Sequence, residues 1–310
     1  MLFLILILIL ASVLLAGGYY AYRISYFSPT EGREKEPFFE GSIYTPFHGD
    51  MKLLYSRLMA RSCETVTVTS HDGLTLTGYY FHTQDNAPVD ICFHGYRSTW
   101  KTDFCGGSDI SYQMGHNLLL VDQRAHGKSQ GKTITFGLLE RQDLVQWVNY
   151  ITNRFGGHTP IFLYGVSMGG ATVLMAPQEQ LPSNVKGIVA DCPFSNAADI
   201  ICHVGKEKPV PNWLIKPFAM VGAAVFGGFN LCKTNARQEL SKARIPVLIL
   251  HGETDTLVPP KMSDLTSCNP KYITRYTFPH AEHAVSFLTD QPRYRQIVTE
   301  FVQKTLSETK

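Results

Sequence analysis

Gly165-Val166-Ser167-Met168-Gly169-Gly170 sets a serine among glycines where an apolar strand pattern gives way to a helical one. A serine so placed sits in a tight strand-to-helix turn, and the flanking glycines are needed because a Cβ there would collide with neighbouring backbone. This is the setting of a nucleophile. A serine hydroxyl attacks a carbonyl at neutral pH only if a histidine takes its proton and a carboxylate holds that histidine in the right tautomer. Two later windows supply such groups. His251-Gly-Glu253-Thr-Asp255 follows an apolar strand pattern at 246–250, and Pro279-His280-Ala-Glu-His283 follows the next strand. Asp255 competes with Glu253 for the acid, and His280 with His283 for the base. A zinc pair of His280 and His283 would need a third ligand, and none is in view, so no metal is expected.

The elements that must position these residues follow from hydrophobic period. Residues 65–69 alternate with period two, His71-Asp72-Gly73 turns the chain, and 74–81 resume the alternation, which predicts a β-hairpin. Beyond it the strand patterns at 89–93, 118–121, 161–164, 188–190 and 247–250 are almost wholly apolar, as strands covered on both faces are, with Asp90 the exception. Helical spacing at 138–151 and 171–175 separates them, and a strand at 272–278 precedes a last helix at 294–306. Such alternation predicts an α/β fold with a mostly parallel sheet and helices on both faces. Between about 196 and 244 no strand is evident. There the apolar run 213–226, interrupted by Pro217, reads as a small helical cap over the sheet, with Phe218 and Phe226 as candidate substrate contacts.

On these motifs, the chain from about 66 to 302 resembles the α/β-hydrolases, specifically compact bacterial members related to the prolyl-oligopeptidase-type and serine-aminopeptidase-like hydrolases. In the segment HGxxDxxVP of that family Asp255 takes the place of the acid, and in HAEH His283 takes that of the base, with His280 where a glycine is usual. Phe93-His94-Gly95-Tyr96-Arg97-Ser98 is similar to the family's oxyanion loop, which implies the backbone N–H groups of Tyr96 and Met168 as donors. Asp122-Gln-Arg124-Ala-His126-Gly127-Lys-Ser129 is similar to its DxRxxGxS loop, implying a brace in Asp122 and Arg124, with His126 a lesser rival for the base. Asp191 stands at a strand end leading into the cap, a second possible acid position. The resemblance implies a serine hydrolase that cleaves carboxylic esters through an acyl-enzyme, with no cofactor or metal. The same machinery cuts thioesters and peptides. Ester is preferred over peptide because only an anchor, a linker and a lead-in helix precede the hairpin. A catalytically idle binding protein would be expected to have lost Ser167, Asp255 or His283, and all three are present.

Residues 1–22 carry no charged side chain, and about 20 apolar residues suffice to span a bilayer. Tyr19, Tyr20 and Tyr22 fall where an aromatic belt would sit. The segment reads as an uncleaved membrane anchor. A cleaved signal peptide is the rival, but no Lys or Arg precedes Arg23, and a small-residue cleavage site is present only loosely at Ala16-Gly17-Gly18. Arg23, Arg33 and Lys35 follow the span, which points the body to the cytoplasm. Residues 23–62 read as a linker broken by Pro29, Pro37 and Pro46 with a lead-in helix at 51–59, and 63–310 as the catalytic body. Everything assigned to catalysis lies after residue 89, so the body is expected to work without residues 1–22. With 28 Lys+Arg against 26 Asp+Glu the net charge is +2, which gives no case for a nucleic-acid partner. The expected partners are a small-molecule or lipid-derived acyl ester and the membrane. The seven cysteines are odd in number, dispersed and without CxxC spacing, so free thiols are expected.

Overall fold

The structure, a computed structural model, describes residues 1–33, 43–176 and 178–308; the break expected at Pro37 and the charge of Lys35 lie outside the described residues. Its strands are β1 (Glu64–Thr69), β2 (Thr75–Phe81), β3 (Val89–Phe93), β4 (Asn117–Val121), β5 (Ile161–Val166), β6 (Val185–Asp191), β7 (Val247–Gly252) and β8 (Ile273–Phe278). They form one sheet in the order β1-β2-β4-β3-β5-β6-β7-β8. The hairpin β1–β2 and the β2–β4 pair are antiparallel, and all later pairings are parallel.

The apolar strands are buried on both sides because each contributes alternate residues to a different core. Ile188, Ala190, Val247 and Ile249 point into the larger cluster, while Val189, Leu248 and Leu250 point into the smaller one. Asp90 in β3 is fully buried, and its Oδ1 lies 3.0 Å from Nδ1 of His116, so the polar exception in that strand is paired.

The helices are α1 (Leu2–Ala21), α2 (His48–Met59), α3 (Trp100–Asp103), α4 (Cys105–Gln113), α5 (Glu140–Phe155), α6 (Met168–Leu174), α7 (Ala197–Gly205), α8 (Asn212–Val221), α9 (Ala236–Leu240), α10 (Ser286–Thr289) and α11 (Gln291–Glu308). α5 and α6 pack on one face of the sheet through Leu144, Trp147 and Val173, and α2, α4 and α11 on the other through Leu54, Ile110 and Val298. α7, α8 and α9 make the cap, and its base is closed where Asn196 bridges Asn235. α3 and α4 have no clear apolar period. Gly106 in α4 is there because a Cβ would strike the Phe287 ring.

Leu2–Ala21 is long and apolar enough to cross a membrane, and its first half stands free of the body. The expectation of a linker immediately after it needs correction. The helix runs on through a π-turn at Tyr22–Tyr26. Tyr26 is fully buried, with its ring edge-on to Phe136 and Phe229 and its hydroxyl donating to the Ala219 carbonyl at 3.1 Å. Backbone bonds from Ile134 N–H to the Tyr26 carbonyl and from Ser28 N–H to the Lys132 carbonyl tie the strand-like residues that follow. Residues 23–28 are part of the globular body, so a working truncation has to keep them.

Candidate active site

Ser167 lies between β5 and α6 with φ 54° and ψ −112°, a region that non-glycine residues occupy only under constraint. The constraint is steric. A Cβ on Gly165 would overlap the Gly169 carbonyl, and one on Gly169 would overlap the Phe93 carbonyl and stand 2.7 Å from that of His94. Ser167 N–H donates to the Asp191 carbonyl at 2.8 Å, which pins the turn to the end of β6.

The two later windows converge on this serine. His283 Nδ1–H donates to Asp255 Oδ2 at 2.7 Å, which leaves Nε2 as acceptor for the Ser167 hydroxyl at 3.0 Å. Asp255 is buried, and its Oδ1 accepts from Val258 N–H at 2.8 Å. Burial works against its charge. The hydrogen bonds from His251 and His283 and the charge of His283 outweigh that and bring the carboxyl down to about 2. The rivals lie elsewhere. Glu253 accepts from the Thr277 hydroxyl on the surface, and His280 is exposed with φ 62°, the left-handed conformation that explains why a glycine suits its position.

Sequence reasoning read Asp122 and Arg124 as a brace but missed the supporting roles of His251, Asp103 and His126. His251, at the end of β7, is fully buried with Nε2 3.2 Å from Asp255 Oδ2 and 2.9 Å from the Val258 carbonyl, so it fixes the acid from behind. Its place in the HGxxDxxVP segment was the available signal. Asp103 is half-buried under the Tyr96 loop, where its Oδ2 accepts from Gly95 N–H at 2.6 Å and its Oδ1 from the Ser98 hydroxyl at 2.5 Å. His126 accepts from Arg97 N–H through Nε2 at 3.0 Å and donates from Nδ1 to the Arg124 carbonyl. Burial holds it well below the usual histidine range, so it is a neutral brace. Arg124 makes paired bonds to Asp143 and Asp72, and Lys128 N–H donates to Asp122 Oδ2.

Gly95 brings the braced loop against the serine, since a Cβ there would lie 3.4 Å from Ser167 Cβ. Among the described residues, neither Tyr96 N–H nor Met168 N–H has a protein acceptor. Ser167 opens into a cavity of about 610 Å³ lined largely by apolar side chains, Phe194, Ile200 and Phe218 among them. Phe226 does not line it. That expectation is corrected by its ring, which, at the end of the π-turn after α8, packs edge-on against Tyr19 at 5.3 Å and lies 6.2 Å from Tyr22, on the side that faces α1.

Asp191 is not in the triad arrangement. Its Oδ2 accepts from the Tyr294 hydroxyl at 3.0 Å, and its Oδ1 has no partner among the described residues. Burial pushes the carboxyl up to about 6, against the downward pull of Tyr294, His251 and His283. The folded protein therefore holds this proton more tightly than the unfolded chain. The stability it contributes is complete below about pH 4 and is lost as pH rises through 6, on the order of 3 kcal/mol. Asp191→Asn, which cannot ionise, is expected to raise Tm at pH 7.5 more than at pH 5. Thermal unfolding of both proteins at the two pH values checks this, and an equal change at both would mean that ionisation is not the cause.

A family model described as the alpha/beta hydrolase fold matches residues 91–215. Protein YqkD of Bacillus subtilis is 26% identical over 239 residues, covering 76% of this chain and 77% of its own. Protein bem46 of Schizosaccharomyces pombe is 24% identical, covering 77% of this chain and 76% of its own. Among solved structures, the esterase Pf2001 of Pyrococcus furiosus superimposes with a TM-score of 0.65 at 22% identity, over 80% of this chain and 93% of the esterase.

Proposed function

Because this chain is an α/β-hydrolase in fold, we propose that it is a membrane-anchored serine hydrolase that cleaves carboxylic esters through an acyl-enzyme. The observation that carries the reading is the hydrogen-bonded chain from Asp255 through His283 to Ser167, at 2.7 and 3.0 Å, with the hydroxyl facing a cavity. Ser167 Oγ attacks the ester carbonyl carbon as His283 Nε2 takes its proton, and Asp255, ionised throughout the working range, stabilises the imidazolium. The carbonyl oxygen, now an anion, is received by the N–H groups of Tyr96 and Met168. One such donor is worth about 2.7–4 kcal/mol of barrier. His283 returns the proton to the departing alkoxide, and water, activated by the same imidazole, releases the acid and restores Ser167.

An ester is favoured over a peptide by the largely apolar cavity lining, which offers an acyl chain burial worth about 0.8 kcal/mol per methylene. That the Pyrococcus protein is an esterase agrees with this choice. The test is labelling by a fluorophosphonate followed by turnover of p-nitrophenyl esters of increasing chain length. Label on Ser167 and a kcat/KM that climbs from acetyl to medium chains are expected. An unlabelled Ser167 in folded protein would end the enzyme reading, and aminoacyl-anilide turnover far above that of short esters would replace it with a peptidase.

A further inference from the structure

The cap closes only part of the cavity above Ser167. Ala21, Ile24 and Ser25, at the end of α1 and in its π-turn, form a wall of it together with Val210 and Ile215 of the cap. This wall is fixed rather than adjacent by chance. The Tyr96 hydroxyl donates to the Ser25 carbonyl at 2.9 Å, and Arg97 donates to the carbonyls of Ile24 and Phe27 at 3.0 Å each. The proposed oxyanion donor Tyr96 and its neighbour Arg97 thus hold the end of the apolar helix.

α1 is also joined to the cap near its C-terminal end. Gly17 faces Phe218, Gly18 faces Val221 and Gly222, and a Cβ on Gly222 would lie 2.7 Å from the Gly18 carbonyl and 3.0 Å from Tyr22 N. Small residues at such a crossing let two backbones touch, the usual device of helices that pair within a bilayer. The contacts advance in the same order on both helices, so α8 runs beside α1 in the same direction. Trp213, five residues before Phe218, then stands roughly 7 Å further toward the start of α1. It is 75% exposed, and Met220 and Val225 also present apolar side chains outward from the cap. At the cavity itself, Ile24 and Leu257 are 37% and 48% exposed, and Arg23 and Lys208 add positive charge to its lining. Apolar groups at an opening are costly against water and are not against lipid.

We propose that the substrate is an acyl ester resident in the membrane leaflet, and that it reaches Ser167 sideways, between the end of α1 and the cap. The acyl chain fills the apolar cavity, and a polar headgroup remains at Arg23 and Lys208. This rests on the hydrolase reading and adds to it the source of the substrate and its route.

The test uses the full chain in phosphatidylcholine nanodiscs. A fluorogenic phospholipid with chains too long to exchange is supplied either in the same disc or in separate vesicles, with p-nitrophenyl butyrate as the ester delivered through water. Same-disc hydrolysis at least tenfold faster than hydrolysis from vesicles is expected. Trp213→Glu and Val225→Glu, exposed apolar positions of the cap outside the cavity lining, should each lower the ratio of same-disc phospholipid turnover to butyrate turnover at least tenfold. Equal rates from disc and vesicle, no same-disc turnover by a protein whose Ser167 takes the fluorophosphonate, or a loss that both substrates share in both variants would overturn the membrane route and leave the hydrolase reading standing. Absence of fluorophosphonate label in the folded wild type overturns both.

Discussion

Ser167→Ala is expected to lower kcat for ester hydrolysis by about a millionfold with the fold intact, because the hydroxyl points into the cavity and its removal opens no space in the core. His283→Ala should fall to the same order, since without it nothing accepts the serine proton, whereas His280→Ala should remain close to wild type because His280 faces solvent. Single-turnover rates together with circular dichroism separate chemistry from unfolding. If His280→Ala were the dead variant, the assignment of this loop would be off by three residues.

Gly169→Ala is expected to be nearly as severe by a different route. The added methyl would meet the Phe93 and His94 carbonyls, which belong to the end of β3 and the loop carrying Tyr96, so no flexible side chain can move aside. Overpacking costs about 1–3 kcal/mol where side chains can adjust, and here the turn itself must be displaced from His283. Gly157→Ala is the control, since nothing lies within 4 Å of its Cβ position. A Gly169→Ala protein with the wild-type Tm and fluorophosphonate labelling rate would show that the turn has more slack than these contacts allow.

Much of the architecture was legible because its signals are local. Strands covered on both faces must be apolar throughout, so β3, β4, β5 and β7 stand out against their neighbours. The turn at Ser167 needs glycine on its flanks whatever the rest of the chain does. Asp255 and His283 could be narrowed to two short loops because both follow strand ends. What escaped is set by contacts between distant segments. Gly106 and Gly107 hide α4, since a glycine required by the Phe287 ring looks like a helix breaker in sequence. The bracing roles of Asp103 and His126 depend on which loop each one meets. Apolar period shows that the run 213–226 has a buried side, but not that Phe226 lies against Tyr19 and Tyr22 while Phe218 looks into the cavity. Residues 23–28 read as linker for the same reason, because Tyr26 finds Phe136, Ala219 and Phe229 only after the whole chain has folded.

The crossing of α1 and α8 at glycine also bears on how the protein is made. About 190 residues separate the end of α1 from the start of α8. At about 5–20 residues per second of synthesis, the first helix therefore exists for on the order of 10–40 s before its partner has left the ribosome. Through that interval Gly17 and Gly18 present an open groove, and the aromatic residues at the end of α1 have no body to join. The wall that α1 and the cap share can therefore close only after the cap has been made, long after α1 itself.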